Sequence, residues 1–452
     1  MVLSRISGIL LPAVLLAAPS TLSDSYQETA TRIMAAALAD QDGYVKLSYL
    51  CDRIGNRLSG SESLNVAIQW AAAQMKRDGL ENVTIQPVKV PHWVRGREDA
   101  EITRPVSHPL TMVGLGDSVG TPPEGITAEV VPVSSFDELN ALGRDKIAGK
   151  IVLFNVPYEG YGKTVMYRAA GPSRAAKLGA VAMLIRSVGS LAMQTPHTGA
   201  LQYTDADPKI PAAAITYEDA TLIQRLTDAG DTVTVHLAMQ AHMEPDADSA
   251  NVFGDIPGRE KPEEIVVMGG HIDSWDVGAG AQDDGSGIMA ALEAAVVIRK
   301  LGLQPRRTLR VVFWTNEENG GAGGRAYREM VDGKINNYVA AIEMDGGAEK
   351  PVGFGIAKGG AALERAQEIG KLLDPIGAGT VRGDGGGADI APLMHDGVPG
   401  LGLFTVGEHY FDWHHTRTDT LDKVDPQEFR KCIAAMAVMS YVLADMPQRL
   451  GE

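Results

Sequence analysis

Cysteine is nearly absent from this chain: 452 residues contain only Cys51 and Cys432. Two thiols exclude a disulfide framework and a cysteine-built zinc site, and spacing does not decide whether they form one bridge. Positive charge is also scarce. Lysine and arginine number 41 against 57 acidic residues, a formal net charge of −16. With no surplus of cations to meet a phosphate backbone, nucleic acid is not expected as a partner. Long apolar runs are missing too. Beyond the first residues none approaches the roughly 20 that a membrane-spanning helix needs, so no span is expected in the mature protein. What remains is ordinary globular composition, 44% hydrophobic and 22% charged, enough for a large catalytic domain with an insertion.

The chain opens like a secretory leader. Arg5 supplies a positive start, Ile9 to Ala18 an apolar stretch too short to span a bilayer, and Ala17, Ala18 and Ser20 the small residues that cleavage requires. Residues 1–22 are therefore read as a signal peptide, and the mature protein as secreted or periplasmic. Residues 23–106 read as the N-terminal part of a catalytic domain. They hold helices near 44–50 and 64–79 and an alternating strand near 83–90. A new series of strands and helices occupies 107–245, with strands at 128–133, 151–156, 181–185 and 212–215, and reads as an inserted domain. Residues 246–452 return to the catalytic domain. There the apolar runs 264–270 and 309–315 flank a helical pattern at 286–300, a βαβ unit of a buried parallel sheet. Further strands are expected at 339–344 and 401–406, and a last helix at 426–443. The fold class is α/β: a mixed, largely parallel central sheet flanked by helices, with an inserted domain.

Acidic and imidazole residues follow each expected strand. His271 and Asp273 follow the first and Glu317-Glu318 the second; Asp345 comes after the third and His414-His415 after the fourth. Asp283-Asp284-Gly285-Ser286-Gly287 opens the intervening helix. Each has a plain alternative: a loop histidine, a solvated turn, an N-cap, a packed aromatic loop. Together they lie where open α/β sheets bind ligands, beyond the carboxyl ends of the strands. So many carboxylates cannot share a dry cleft without repulsion, which divalent cations would relieve. Imidazole and carboxylate donors without thiolate suit catalytic zinc, and they are numerous enough for two ions sharing one carboxylate. A glutamate left over could serve as general base.

The stretches GGHIDSWDVGAGAQDDGSG (269–287), RTLRVVFWTNEENGG (307–321) and FDWHHTRTDT (411–420) resemble the dizinc exopeptidases, which include aminopeptidases and carboxypeptidases. IAGKIVLFNV and the following AAKLGAVAMLI resemble the protease-associated domain inserted in that family. The resemblance implies two zinc ions per chain, with Asp283 bridging them, His271 and Asp345 completing one site, and Glu318 and His415 the other. It implies Glu317 as catalytic base and Asp273 as the residue orienting His271. His414 is the rival to His415, which is preferred because Asp419-Thr420 matches the family pattern that follows the ligand. Gly387, Ala388 and Asp389 are expected to line the substrate pocket. The resemblance further implies a homodimer and a small peptide substrate, hydrolysed as a dipeptide or short unblocked peptide. The competing readings are a single-zinc transferase resembling glutaminyl cyclase and a non-catalytic binding protein on the same fold.

Overall fold

The computed structural model describes residues 21–452 other than 192, 205 and 206. The leader read over 1–22 lies outside them but for Thr21 and Leu22. Thr21 caps the helix Leu22–Ala39, its side chain accepting from the Asp24 N–H.

Two eight-stranded mixed sheets organise the described residues. In the first, the spatial order is Glu81–Val94, His242–Ile256, Arg307–Trp314, Lys261–His271, Tyr338–Glu343, Gly400–Thr405, Pro351–Ile356 and Thr380–Arg382. The four central strands run parallel. Their sequences are apolar on both faces because helices cover both sides. Ser286–Lys300 is buried from Ser286 to Ile298, and Pro426–Asp445 from Cys432 to Ala444. Pro426 sits in the first turn of its helix, where its missing N–H costs nothing, and Asp425 caps that turn by accepting from Gln427 and Glu428. Phe429 and Ile433 are fully buried on this helix; truncating either to alanine would cost on the order of 3–5 kcal/mol. The Pro351–Ile356 strand is antiparallel to Gly400–Thr405, an element that the sequence pattern does not reveal because glycine interrupts its apolar run.

The second sheet is built from residues 98–239, in the order His108–Pro109, Glu98–Arg104, Thr234–Met239, Ile126–Val133, Ile151–Phe154, Ala182–Arg186, Ala212–Ile215 and Met112–Gly114. The chain leaves the first sheet at Val94 and rejoins it at His242, and these two residues are paired. Entry and exit thus lie side by side, so the intervening segment can fold without breaking the first sheet. Glu98–Arg104 pairs in this second sheet, on the far side of the boundary read from sequence at 107. Its antiparallel register with Thr234–Met239 is a long-range pairing with no local signal.

Contacts join the two sheets' domains around one loop. The Arg95 guanidinium pairs with Asp276, Nη2 to Oδ1 at 2.6 Å. On the first domain's side, Trp93 of the Glu81–Val94 strand meets Trp275 edge to face at 6.5 Å. Gly116 lies flat against Trp275, where an added Cβ would come within 1.9 Å of the indole. Cys51 and Cys432 are both buried as free thiols, so the bridge left open by spacing is not formed.

Candidate metal centre

Register decides which strand ends meet. His271 closes the Lys261–His271 strand opposite Trp314, from which the chain runs on to Glu317 and Glu318. Gly269 pairs on its other side with Glu343, two residues before Asp345. Three chemical clusters far apart in the chain therefore emerge at one sheet edge. The loop after His271 is pinned from below by fully buried Arg57, which donates to the carbonyls of Ile272 (2.7 Å), Ala279 (2.7 Å) and Gly280 (3.1 Å).

Asp283 stands at the middle. Its Oδ1 lies 3.1 Å from His271 Nε2, and its Oδ2 lies 3.3 Å from His415 Nε2. On the first side Asp345 Oδ1 is 3.5 Å from His271 Nε2. On the second, Glu318 Oε2 is 2.9 Å from His415 Nε2. His414 stacks on His415 with ring centroids 3.5 Å apart, and its Nε2 reaches to 3.6 Å from Asp283 Oδ2. Both histidines thus face Asp283, but of the two only His415 also pairs with Glu318. Glu317 lines the same cavity, about 350 Å³ in volume, as Asp283, Glu318, Asp345, His414 and His415.

The supporting contacts fix these groups. His271 Nδ1 donates to the main-chain carbonyl of Asp273 at 3.0 Å, whereas the Asp273 carboxylate is 3.8 Å away. That carboxylate accepts instead from the backbone N–H groups of Glu317 (3.1 Å) and Glu318 (3.3 Å). Asp273 therefore orients His271 through its backbone and the two glutamates through its side chain. Asp419 accepts the N–H groups of Ala281 (3.0 Å), Gln282 (2.7 Å) and Asp283 (3.2 Å), locking the turn that carries Asp283. Asp284 accepts from the N–H groups of His271 (3.1 Å) and Gly287 (3.0 Å). Sequence reasoning took Asp419 only as part of a pattern and did not single out Arg57 or Asp284. The Gly-Ser-Gly that follows Asp284 is the one local hint, because it lets the helix start close to a carboxylate.

Electrostatics in the chain alone are strained in the way a cation would relieve. Burial pushes Glu318 up to about 7, with the Asp283 charge adding to it. Burial, opposed by His271 and reinforced by Asp345, raises Glu317 well above the carboxylate range. Burial works against a charged His271, yet the nearby carboxylates of Asp283 and Asp345 outweigh it and raise the imidazole well above its ordinary value. Burial would also raise Asp283, but His271 and His415 hold it well below. Asp283 Oδ2 and Asp345 Oδ1 are buried without a hydrogen-bond donor. Orphaned oxygens facing imidazole nitrogens are a donor set that fits zinc. His271, Asp283 and Asp345 form one compact set of ligand atoms, and Asp283, His414 and His415 another.

Gly387, Ala388 and Asp389 do not line this cavity. Gly387 lies against the Glu343 carboxyl group, where a Cβ would come within 2.1 Å. Asp389 is buried, and burial followed by the Glu343 charge raises its carboxyl well above the usual range. Gly387 and Asp389 thus lie beside Glu343, Asp389 also feeling the charges of His271 and Glu317, while Ala388 is exposed. Three residues that sequence reasoning did not single out come from the second domain. Tyr161 and Arg168 line the cavity, and Thr198 offers its carbonyl to His415 Nδ1 at 3.3 Å.

Residues 251–440 match the model of peptidase family M28, and residues 119–223 the PA domain. The chain is 45% identical to carboxypeptidase Q of Bos taurus over 412 residues, 91% of this chain and 87% of the relative. It is 44% identical to carboxypeptidase Q of Homo sapiens over the same shares. The crystal structure of a peptidase M28 precursor from Shewanella amazonensis SB2B superposes with a TM-score of 0.92 at 34% identity, over 95% of this chain and 99% of that one.

Proposed function

The chain belongs to peptidase family M28, and from that premise we propose a zinc-dependent exopeptidase that cleaves dipeptides or short unblocked peptides and is exported by its leader. The observation that carries the reading is Asp283, whose two oxygens face separate sets of donors, His271 at 3.1 Å and His415 at 3.3 Å. On this reading His271, Asp283 and Asp345 would hold one zinc ion, and Asp283, Glu318 and His415 would hold a second. When bound the ions supply Lewis acidity and an acidified water. Glu317, the carboxyl of the cavity left out of both sets, takes the proton of the attacking water and passes it to the leaving amine. Burial raises its proton affinity above that of an ordinary carboxylate. Asp273 holds the backbone of Glu317 and Glu318 in place from behind. The proposed assembly is a homodimer, checked by sedimentation. Among the described residues no helix is long and apolar enough to cross a membrane.

The test is a panel of unblocked dipeptides beside their N-acetylated and C-amidated forms, with and without chelator. Chelator-sensitive cleavage of unblocked substrates, with close to two zinc ions per chain by elemental analysis, supports the reading. Close to one ion and no cleavage would instead fit a single-zinc transferase.

A further inference from the structure

Arg168 is the only arginine or lysine among the residues lining the cavity that holds Asp283, Glu317, Glu318 and Asp345. It stands on the helix Tyr161–Lys177 of the second domain. The side chain is 6% exposed and has no ion pair among the described residues. Its Nη1 donates to the Thr198 carbonyl at 3.1 Å and its Nη2 to the Tyr161 hydroxyl at 2.9 Å. The Nε N–H is buried without an acceptor. A guanidinium has five N–H donors, so three of them are unused. Holding such a cation out of water with no ion-pair partner is costly unless a ligand completes it.

The seat of the guanidinium is built to fit. Gly199, at φ +132°, leaves the space it occupies, and a Cβ there would fall within 2.2 Å of Nη1. The Tyr161 ring lies 5.5 Å from Cζ, stacks on Phe411 at 5.0 Å and meets His414 edge on at 5.0 Å. The cation is thus fixed between the second domain and the donor cluster. A carboxylate entering this acidic cavity would be repelled unless it reached such a partner, and the planar fork suits a carboxylate bidentately. About 350 Å³ is near the lower end of ligand pockets, suited to a substrate of dipeptide size.

We propose that Arg168 receives the free carboxylate of the peptide's C-terminal residue and makes the centre selective for unblocked C-termini; this rests on the peptidase reading of the cavity. The test uses the zinc-loaded full chain, wild type, Arg168→Lys and Arg168→Gln, on one dipeptide and its C-terminal amide. For wild type, kcat/KM should favour the acid over the amide by about 100-fold, as expected of a charge-assisted bidentate contact. In Arg168→Gln the ratio should fall to within about threefold, chiefly through KM, with zinc content and melting temperature held. Arg168→Lys should fall between. A wild type indifferent to amidation overturns the proposal, as does an Arg168→Gln variant that loses both substrates equally, the mark of a merely structural arginine. If wild type cleaves neither substrate, the peptidase reading fails separately. Calorimetry with a free amino acid then decides: heat lost in Arg168→Gln upholds the carboxylate seat, and equal heat in both proteins overturns it.

Discussion

Thr198 and His415 bind each other in both directions although 217 positions separate them: His415 Nδ1 donates to the Thr198 carbonyl at 3.3 Å, and the Thr198 N–H donates to the His415 carbonyl at 3.0 Å. A carbonyl can only accept, so Nδ1 carries a proton, and Nε2, which faces Glu318 and Asp283, is the nitrogen left to bind a metal. That is the tautomer a metal ligand needs, and the backbone of the second domain sets it. Thr198 is itself held, its hydroxyl donating to the Gly114 carbonyl at 2.8 Å. The second domain therefore helps build the donor cluster rather than merely covering it.

Glu317→Gln keeps the shape of the side chain and removes its proton affinity. Turnover should fall by roughly 10²–10⁴-fold, the usual worth of general base catalysis. Zinc content by elemental analysis should stay at the wild-type level. A variant with unaltered kcat would remove Glu317 from the role.

Asp283→Ala deletes the carboxylate that, alone among the described residues, faces both donor sets. Both ions should be lost on dialysis, and full metal content in the purified variant would refute the bridge.

Asp419→Ala should weaken zinc binding by about 10–100-fold, as loss of a group that supports metal ligands does. Three buried N–H groups lose their acceptor, so unfolding free energy should also drop by roughly 3 kcal/mol. Chelator competition and urea denaturation measure the two effects, and unchanged values in both would show that the turn holds Asp283 without Asp419.

Glu293 gives a pH test remote from the donor cluster. It is fully buried beneath Lys46, whose Nζ is 2.5 Å from Oε2. Burial pushes its carboxyl up to about 7, Lys46 opposing. A raised carboxyl favours the folded state when protonated. Its stabilising effect is therefore complete below the unfolded value near 4.5 and lost as pH rises through 7. Wild-type stability minus that of Glu293→Gln should fall across that window, by on the order of 3 kcal/mol. Denaturation series at pH 4.5, 6 and 8 check this, and a flat or rising difference would contradict it.

Helix Ser286–Lys300 and strand Ala212–Ile215 fall where the spacing of apolar residues puts them, and the runs 264–270, 309–315 and 339–344 were legible as strands with His271, Glu317 and Asp345 following them. These are local signals: side-chain period reports the environment of a single element, and chemistry at its end follows in the next few residues. Legible too was the kind of chemistry, because carboxylates and imidazoles recur at successive strand ends while thiols do not. Pairing was not legible. The antiparallel strand Pro351–Ile356, the place of Glu98–Arg104 in the second sheet and the seat of Gly387 against Glu343 depend on partners tens or hundreds of residues away. The same holds for Thr198, Arg168 and Tyr161, whose local sequence is that of any loop and amphipathic helix. Sequence by itself determined which groups could act, since each carries its chemistry wherever it lies. The tertiary structure alone decided which of them share one cavity, because a few ångströms between side chains are set by sheet register and domain packing, and no residue's neighbours in the chain encode those.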